Sequence, residues 1–122
     1  KKMAKKYKYF NLTEFDSPDL EGSGEMMEES FLDMLEKARE IAGIPFKINS
    51  GFRTMERNQM VGGRVGSSHL KGVAADIHCN NSHNRQIILN ALTQAGFTRY
   101  GVAKTFIHVD SDKQKPDACW LY

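Results

Sequence analysis

Two histidines and an aspartate in this chain have the residue types and the spacing to hold a metal ion. His69 and Asp76 stand seven positions apart in "SSHLKGVAADIHC", and His108 stands in "FIHVD" near the other end of the 122-residue chain. A catalytic zinc takes three protein ligands from His, Asp or Glu and leaves a fourth position open for water. The trio supplies such a set, with one histidine on a turn, a carboxylate on the strand that follows, and a second histidine on a distant strand. Gly72 lets the backbone turn sharply between the first two, and Ala74 and Ala75 leave room around the carboxylate. Each residue also has an ordinary role: a histidine before a strand is commonly a surface or hydrogen-bonded one, and an aspartate at a strand end commonly serves a turn. The spacing is less specific than a helical HExxH pair.

The elements that must carry these groups read as α+β, a small, mostly antiparallel sheet packed against helices. "EMMEESFLDMLEKAREIAG" puts Met27, Phe31, Met34, Leu35, Ala38 and Ile41 at spacings of three and four, the apolar stripe of a helix. Gly43 and Pro45 end it. "FKINS" reads as a short strand, and Thr54 caps a brief helix after it. "VAADIHC" alternates, so Ala74, Asp76 and His78 share one face of a strand while Val73, Ala75 and Ile77 take the other. "NNSHNRQIILNALTQAGF" reads as a helix capped near Asn81 or Ser82 and stopped at Gly96, burying Ile88, Ala91, Leu92 and Ala95. "TRYGVAKTFIHVD" predicts two strands joined by a tight turn, and the rest reads as a polar tail ending in "DACWLY". "YFNLTEF" is expected to be a short edge segment and "DSPDLEGSG" a loop.

Composition bounds the function. Forty per cent hydrophobic and 26% charged residues place the chain among globular domains, and its length suits one core. Residues 1–8 read as a basic tail and 9–122 as a single domain. "KKMAKKYK" holds five of the 17 basic residues, leaving 12 against 15 acidic ones in the remainder. That balance argues against a nucleic-acid partner, which calls for a basic face on the fold itself. No apolar run reaches the ~18 residues of a membrane span, and no export signal is visible. Cys79 and Cys119 read as free thiols, with a single bridge between them as the alternative.

The longer string "SSHLKGVAAD" fits the pattern S-x-H-x-x-G-x-A-x-D, and in this it resembles the zinc D-alanyl-D-alanine carboxypeptidase family. These peptidoglycan metallopeptidases also include D,D-dipeptidases and phage L-alanyl-D-glutamate endolysins. The resemblance takes in "YFNLTEF", "INSGFRTMERNQMVGG", "AGFTRYGV" and "FIHVD", in the order of the family's short, often phage-associated branch, and covers nearly the whole chain after residue 8. It implies the D,D-peptidase/hedgehog-like zinc fold, with zinc as cofactor and His69, Asp76 and His108 as its ligands. It further implies Ser67 as a substrate-contacting serine and Arg53, in "SGFR", as the cation that stabilises the oxyanion. The chemistry asks for such a cation, because attack on a carbonyl puts negative charge on its oxygen. His78 and His83 match no ligand position, and Trp120 is expected to close the core or the edge of the cleft.

One departure concerns the general base. Many relatives carry Glu or Asp three residues before the second zinc histidine, where this chain has Thr105. Strand alternation puts Phe106, His108 and Asp110 on one face, and residues two apart on a strand lie roughly 6.5 to 7 Å apart. Asp110 is therefore expected as the base, with Asp112 and Asp117 as fallbacks; its other available role is to orient a histidine ligand.

The activity so implied is zinc-dependent hydrolysis of a peptide bond in a peptidoglycan stem peptide, carboxypeptidase-like or endolysin-like. The protein would act as a monomer without nucleic-acid or membrane partners. A phage lysis enzyme released through a separate pore reconciles a cell-wall substrate with the lack of a visible leader, and an exported bacterial enzyme is the alternative. The alternative on the same fold is a non-catalytic, zinc-stabilised cell-wall binding module.

Overall fold

The computed structural model describes residues 6–122, so the first five residues of the expected basic tail lie outside the described residues. Within its remaining part, the Lys8 amide donates to Glu36 Oε2 at 2.6 Å and Tyr7 packs against the core. Leu12–Phe15 is a 3-10 turn, where an edge segment is expected from the sequence. The Glu14 carboxylate reaches back to the Asn11 amide at 2.8 Å while the Glu14 amide bonds the Asn11 carbonyl. Those two local bonds satisfy backbone groups that a strand would leave for a partner.

Helix α1 spans Glu29–Ala42 and buries Phe31, Leu32, Leu35 and Ala38, closing at left-handed Gly43. Leu32 takes a buried place that the stripe did not include, and Ile41 is left 38% exposed at the last turn. Strand β1 (Ile48–Ser50) leads into α2 (Met55–Met60), where Thr54 Oγ1 accepts from the Arg57 amide at 3.0 Å. Strand β2 covers Ala74–His78, and α3 covers Ser82–Gln94 with the Asn81 side chain as its cap. Strands β3 (Arg99–Val102) and β4 (Phe106–Asp110) form the expected hairpin.

The end of the chain differs from the expected polar tail. Ala118–Leu121 is a fifth strand, β5, lying parallel to β3. The edge of β3 presents unpaired backbone groups, and the chain supplies them with partners: the Ala118 amide bonds the Thr98 carbonyl and the Tyr122 amide bonds that of Val102.

The strand order is β1-β2-β4-β3-β5, antiparallel but for the last pair. One face buries Ala75, Ile77, Ile107 and Val109 against the apolar sides of α1 and α3. The other face carries the polar residues of the same strands, as the two-residue period requires. There the register sets Ser50, Asp76, His108, Gly101 and Trp120 side by side across all five strands. Cys79 and Cys119 are free thiols. Among the described residues no helix is long and apolar enough to cross a membrane.

Candidate metal centre

His69 reaches the sheet from a 3-10 turn, Ser68–Lys71, that is fastened at both ends. Ser67 Oγ caps it by accepting from the His69 amide at 3.2 Å. Gly72 leaves it at φ +71, and a Cβ there would stand 2.4 Å from the Met26 carbonyl oxygen, so the turn expected from Gly72 is also a close backbone approach. The His69 carbonyl accepts from the Arg53 amide at 3.1 Å. The imidazole is buried, and its Nδ1 lies 2.8 Å from the Gly51 carbonyl. A carbonyl only accepts, so Nδ1 carries a proton there, and Nε2 is the nitrogen that faces Asp76 Oδ1, 3.4 Å away.

His108 and Asp76 face each other across β4 and β2. His108 Nδ1 lies 2.9 Å from Asp76 Oδ1, and on the opposite edge of the ring Nε2 lies 2.8 Å from Asp110 Oδ2. Burial depresses the His108 pKa, but the hydrogen bonds and charges of Asp110 and Asp76 outweigh it, and the net shift is upward. Burial likewise raises that of Asp76, yet His108 and His69 hold its carboxyl well below the usual range. A proton between two such groups occupies the place a cation would take.

One ligand atom from each of His69, Asp76 and His108 lies within 4.8 Å of the other two, the only such group of three among the described residues. Two imidazole nitrogens and a carboxylate oxygen are a donor set suited to zinc. Each histidine has its other nitrogen engaged by an acceptor, the arrangement that sets tautomer and ring direction in metal sites. The residues present therefore fit the ion.

The other expected residues gather around this trio, in places that define them more narrowly. Arg53 is half-buried, its Nη1 donating to Asn58 Oδ1 at 3.0 Å and its Nη2 to Ser50 Oγ at 3.4 Å. Ser50 is paired in register with Asp76 and the Arg53 amide bonds the His69 carbonyl, which puts the guanidinium on the side of the ligands; burial lowers its pKa while the charge of Asp76 acts in the opposite sense. Ser67 spends its hydroxyl lone pair on the His69 turn and keeps its own proton to donate. The Asp110 carboxylate stands behind His108, and its Oδ1 accepts from Arg99 Nε at 2.7 Å and from the Asp112 amide at 3.1 Å. A base for water at the ion would have to face the opposite side of the ring. Thr105 is exposed, and so are His78 and His83. Asp112 is tied into a buried cluster, accepting from Ser68 Oγ at 2.8 Å and Lys71 Nζ at 2.9 Å.

Several residues of this framework gave no signal in the sequence. Gly51, Arg99 and the pairing of Asp112 with Ser68 and Lys71 act through partners 11 to 44 positions away, while Ser50 and buried Asn58 hold Arg53 from three and five positions away. A polar residue reads the same whether its partner is water or a ligand's back edge. The parity of β3 was legible and would have put Arg99 and Gly101 on the face of the site once β3 was paired with β4.

Fold and site together define a candidate metal protein, with a three-donor centre on the polar face of a mostly antiparallel sheet. The family model for peptidase M15 matches residues 8–110, and the chain belongs to that family of zinc metallopeptidases. No curated protein matches it.

Proposed function

We propose that this M15 peptidase hydrolyses a peptide bond in the stem peptide of peptidoglycan, next to a D-amino acid, as a monomer without a nucleic-acid partner. The D-alanyl-D-alanine carboxypeptidase-like and endolysin-like activities both fall within this reading, and the phage-associated branch is the source it favours. The observation that carries it is the convergence of His69 Nε2, Asp76 and His108 Nδ1, with the Arg53 guanidinium bonded to Ser50, the register neighbour of Asp76. When bound, zinc supplies a Lewis-acidic centre that polarises a carbonyl and acidifies water. The chain's own residues then do the rest. His69 and His108 offer fixed lone pairs because Gly51 and Asp110 hold their other nitrogens. Arg53, aimed by Asn58 and Ser50, meets the negative charge that develops on the carbonyl oxygen. Ser67 donates a hydrogen bond from its hydroxyl to the substrate. Asp110 serves as a positioning residue for His108 instead of as the base.

A second reading, the zinc-stabilised binding module, draws support from the same engagement of Asp110 and from Thr105 at the position where many relatives carry an acid. Incubating zinc-loaded protein with purified muropeptides and weighing the products separates the two. Cleavage of one peptide bond, lost in His69→Ala, is the expected result. Retention of intact muropeptides without cleavage would establish the module, and the mass lost identifies the bond.

A further inference from the structure

The row of residues that contains the candidate ligands has an empty place in it. Asp76 flanks His108 from β2, but on its other side the register offers Gly101, which has no side chain. Trp120, opposite Gly101 on β5, reaches over that glycine. Its ring centroid lies 5.5 Å from that of His108, with the planes inclined at 46°. A Cβ at position 101 would stand 2.3 Å from Trp120 Nε1 and 2.7 Å from Tyr122 Cε2, distances that real Cβ atoms do not show. The bare glycine and the seat of the tryptophan are thus one feature.

The same ring touches the second support of His108. The Arg99 guanidinium lies 5.0 Å from the Trp120 ring centroid, while its Nε donates to Asp110 at 2.7 Å and its Nη1 to the Pro116 carbonyl. Asp110 in turn holds His108 Nε2. A hydrogen bond at Nε2 fixes one edge of an imidazole but leaves the ring free to rock about that bond. A rigid aromatic neighbour restrains the rocking, and it does so here from the flank where β3 offers only Gly101.

We infer that Trp120 is a positioning residue of the metal centre: seated on Gly101 and tied through Arg99 to Asp110, it holds the His108 ring so that Nδ1 stays aimed at the ion. The inference rests on the reading of His69, Asp76 and His108 as ligands. It extends the functional chain past residue 110, where the match to the family model ends.

The test compares the whole chain with Trp120→Ala, Trp120→Phe and Gly101→Ala, the last displacing the ring without removing it. Zinc affinity is measured by chelator competition, and the geometry at the site by the visible absorption of the cobalt-loaded protein. The loss of a group that orients a ligand typically weakens metal binding about 10-fold to 100-fold. That loss, with an altered cobalt spectrum, is expected for Trp120→Ala and Gly101→Ala, and partial recovery for Trp120→Phe. Trp120 is the only tryptophan in the chain, so one equivalent of cobalt should quench the fluorescence of the parent and leave that of His69→Ala unchanged. Parental zinc affinity and cobalt spectra in both Trp120→Ala and Gly101→Ala overturn the inference and leave the metal centre standing. So does a Trp120→Ala protein that loses zinc only through a lowered melting temperature while Gly101→Ala binds normally. A parent chain that takes up no zinc overturns both.

Discussion

Replacing Asp110 by Asn separates the two roles that a carboxylate beside a metal ligand can have. The native side chain is 1% exposed and receives three donors, from His108 Nε2, Arg99 Nε and the Asp112 amide, at 2.8, 2.7 and 3.1 Å. An amide brings a single acceptor oxygen and two donor hydrogens of its own. With the oxygen toward Arg99 and Asp112, the NH₂ group meets the His108 Nε2 proton; the ring relieves that conflict by moving its proton to Nδ1, the nitrogen required for the ion. With the amide reversed, two buried donors face a third. Removing one partner of a buried charged pair costs about 3 to 5 kcal/mol, which for a domain of this size is on the order of 10 °C or more in Tm. Zinc binding should weaken about 10-fold to 100-fold, equivalent to roughly 1.4 to 2.7 kcal/mol. Thermal melts, chelator competition and turnover at saturating zinc measure the three effects. Turnover should recover when excess zinc refills the site. Parental zinc affinity with turnover down about a hundredfold would refute this reasoning and make Asp110 the general base.

Three other outcomes are expected. The purified chain should bind about one zinc, and His69→Ala should lose it; elemental analysis that still finds a full equivalent would remove His69 from the site. Arg53→Ala should keep fold and metal while turnover falls about a hundredfold to a thousandfold, and a steady-state assay that finds it unchanged would return Arg53 to a structural role. Asp112→Asn should alter the acid limb of the stability curve. Burial raises the Asp112 pKa, but Lys71 and Ser68 bring it well below the ordinary 3.8. A carboxyl with a depressed folded-state pKa contributes stability that is complete above the unfolded value and is lost as pH falls through the folded one. The native chain should therefore lose this increment below about pH 4, and denaturant melts of Asp112→Asn should lack that part of the slope.

What the sequence by itself determined was mostly local. Helical spacing, the caps at Thr54 and Asn81, the turn at Gly72 and the alternation of "VAADIHC" and "FIHVD" are set by backbone sterics and by hydrogen bonds to near neighbours. Alternation already put His108 and Asp110 on one face and Ile107 and Val109 on the other, and the structure keeps that division. The ligand trio was legible through the family resemblance carried by "SSHLKGVAAD" and "FIHVD", since each of the three residues by itself has an ordinary role. The tertiary structure alone decided what stands behind those ligands. Strand pairing brought Asp110 to the back edge of His108, Arg99 to Asp110, and Trp120 across Gly101, in a tail that read as polar and irregular. Pairing is set by which edges remain open once the core has formed, a non-local condition that no window of sequence contains. The direction in which a carboxylate points, and hence whether it holds a ligand or takes a proton, depends on that pairing.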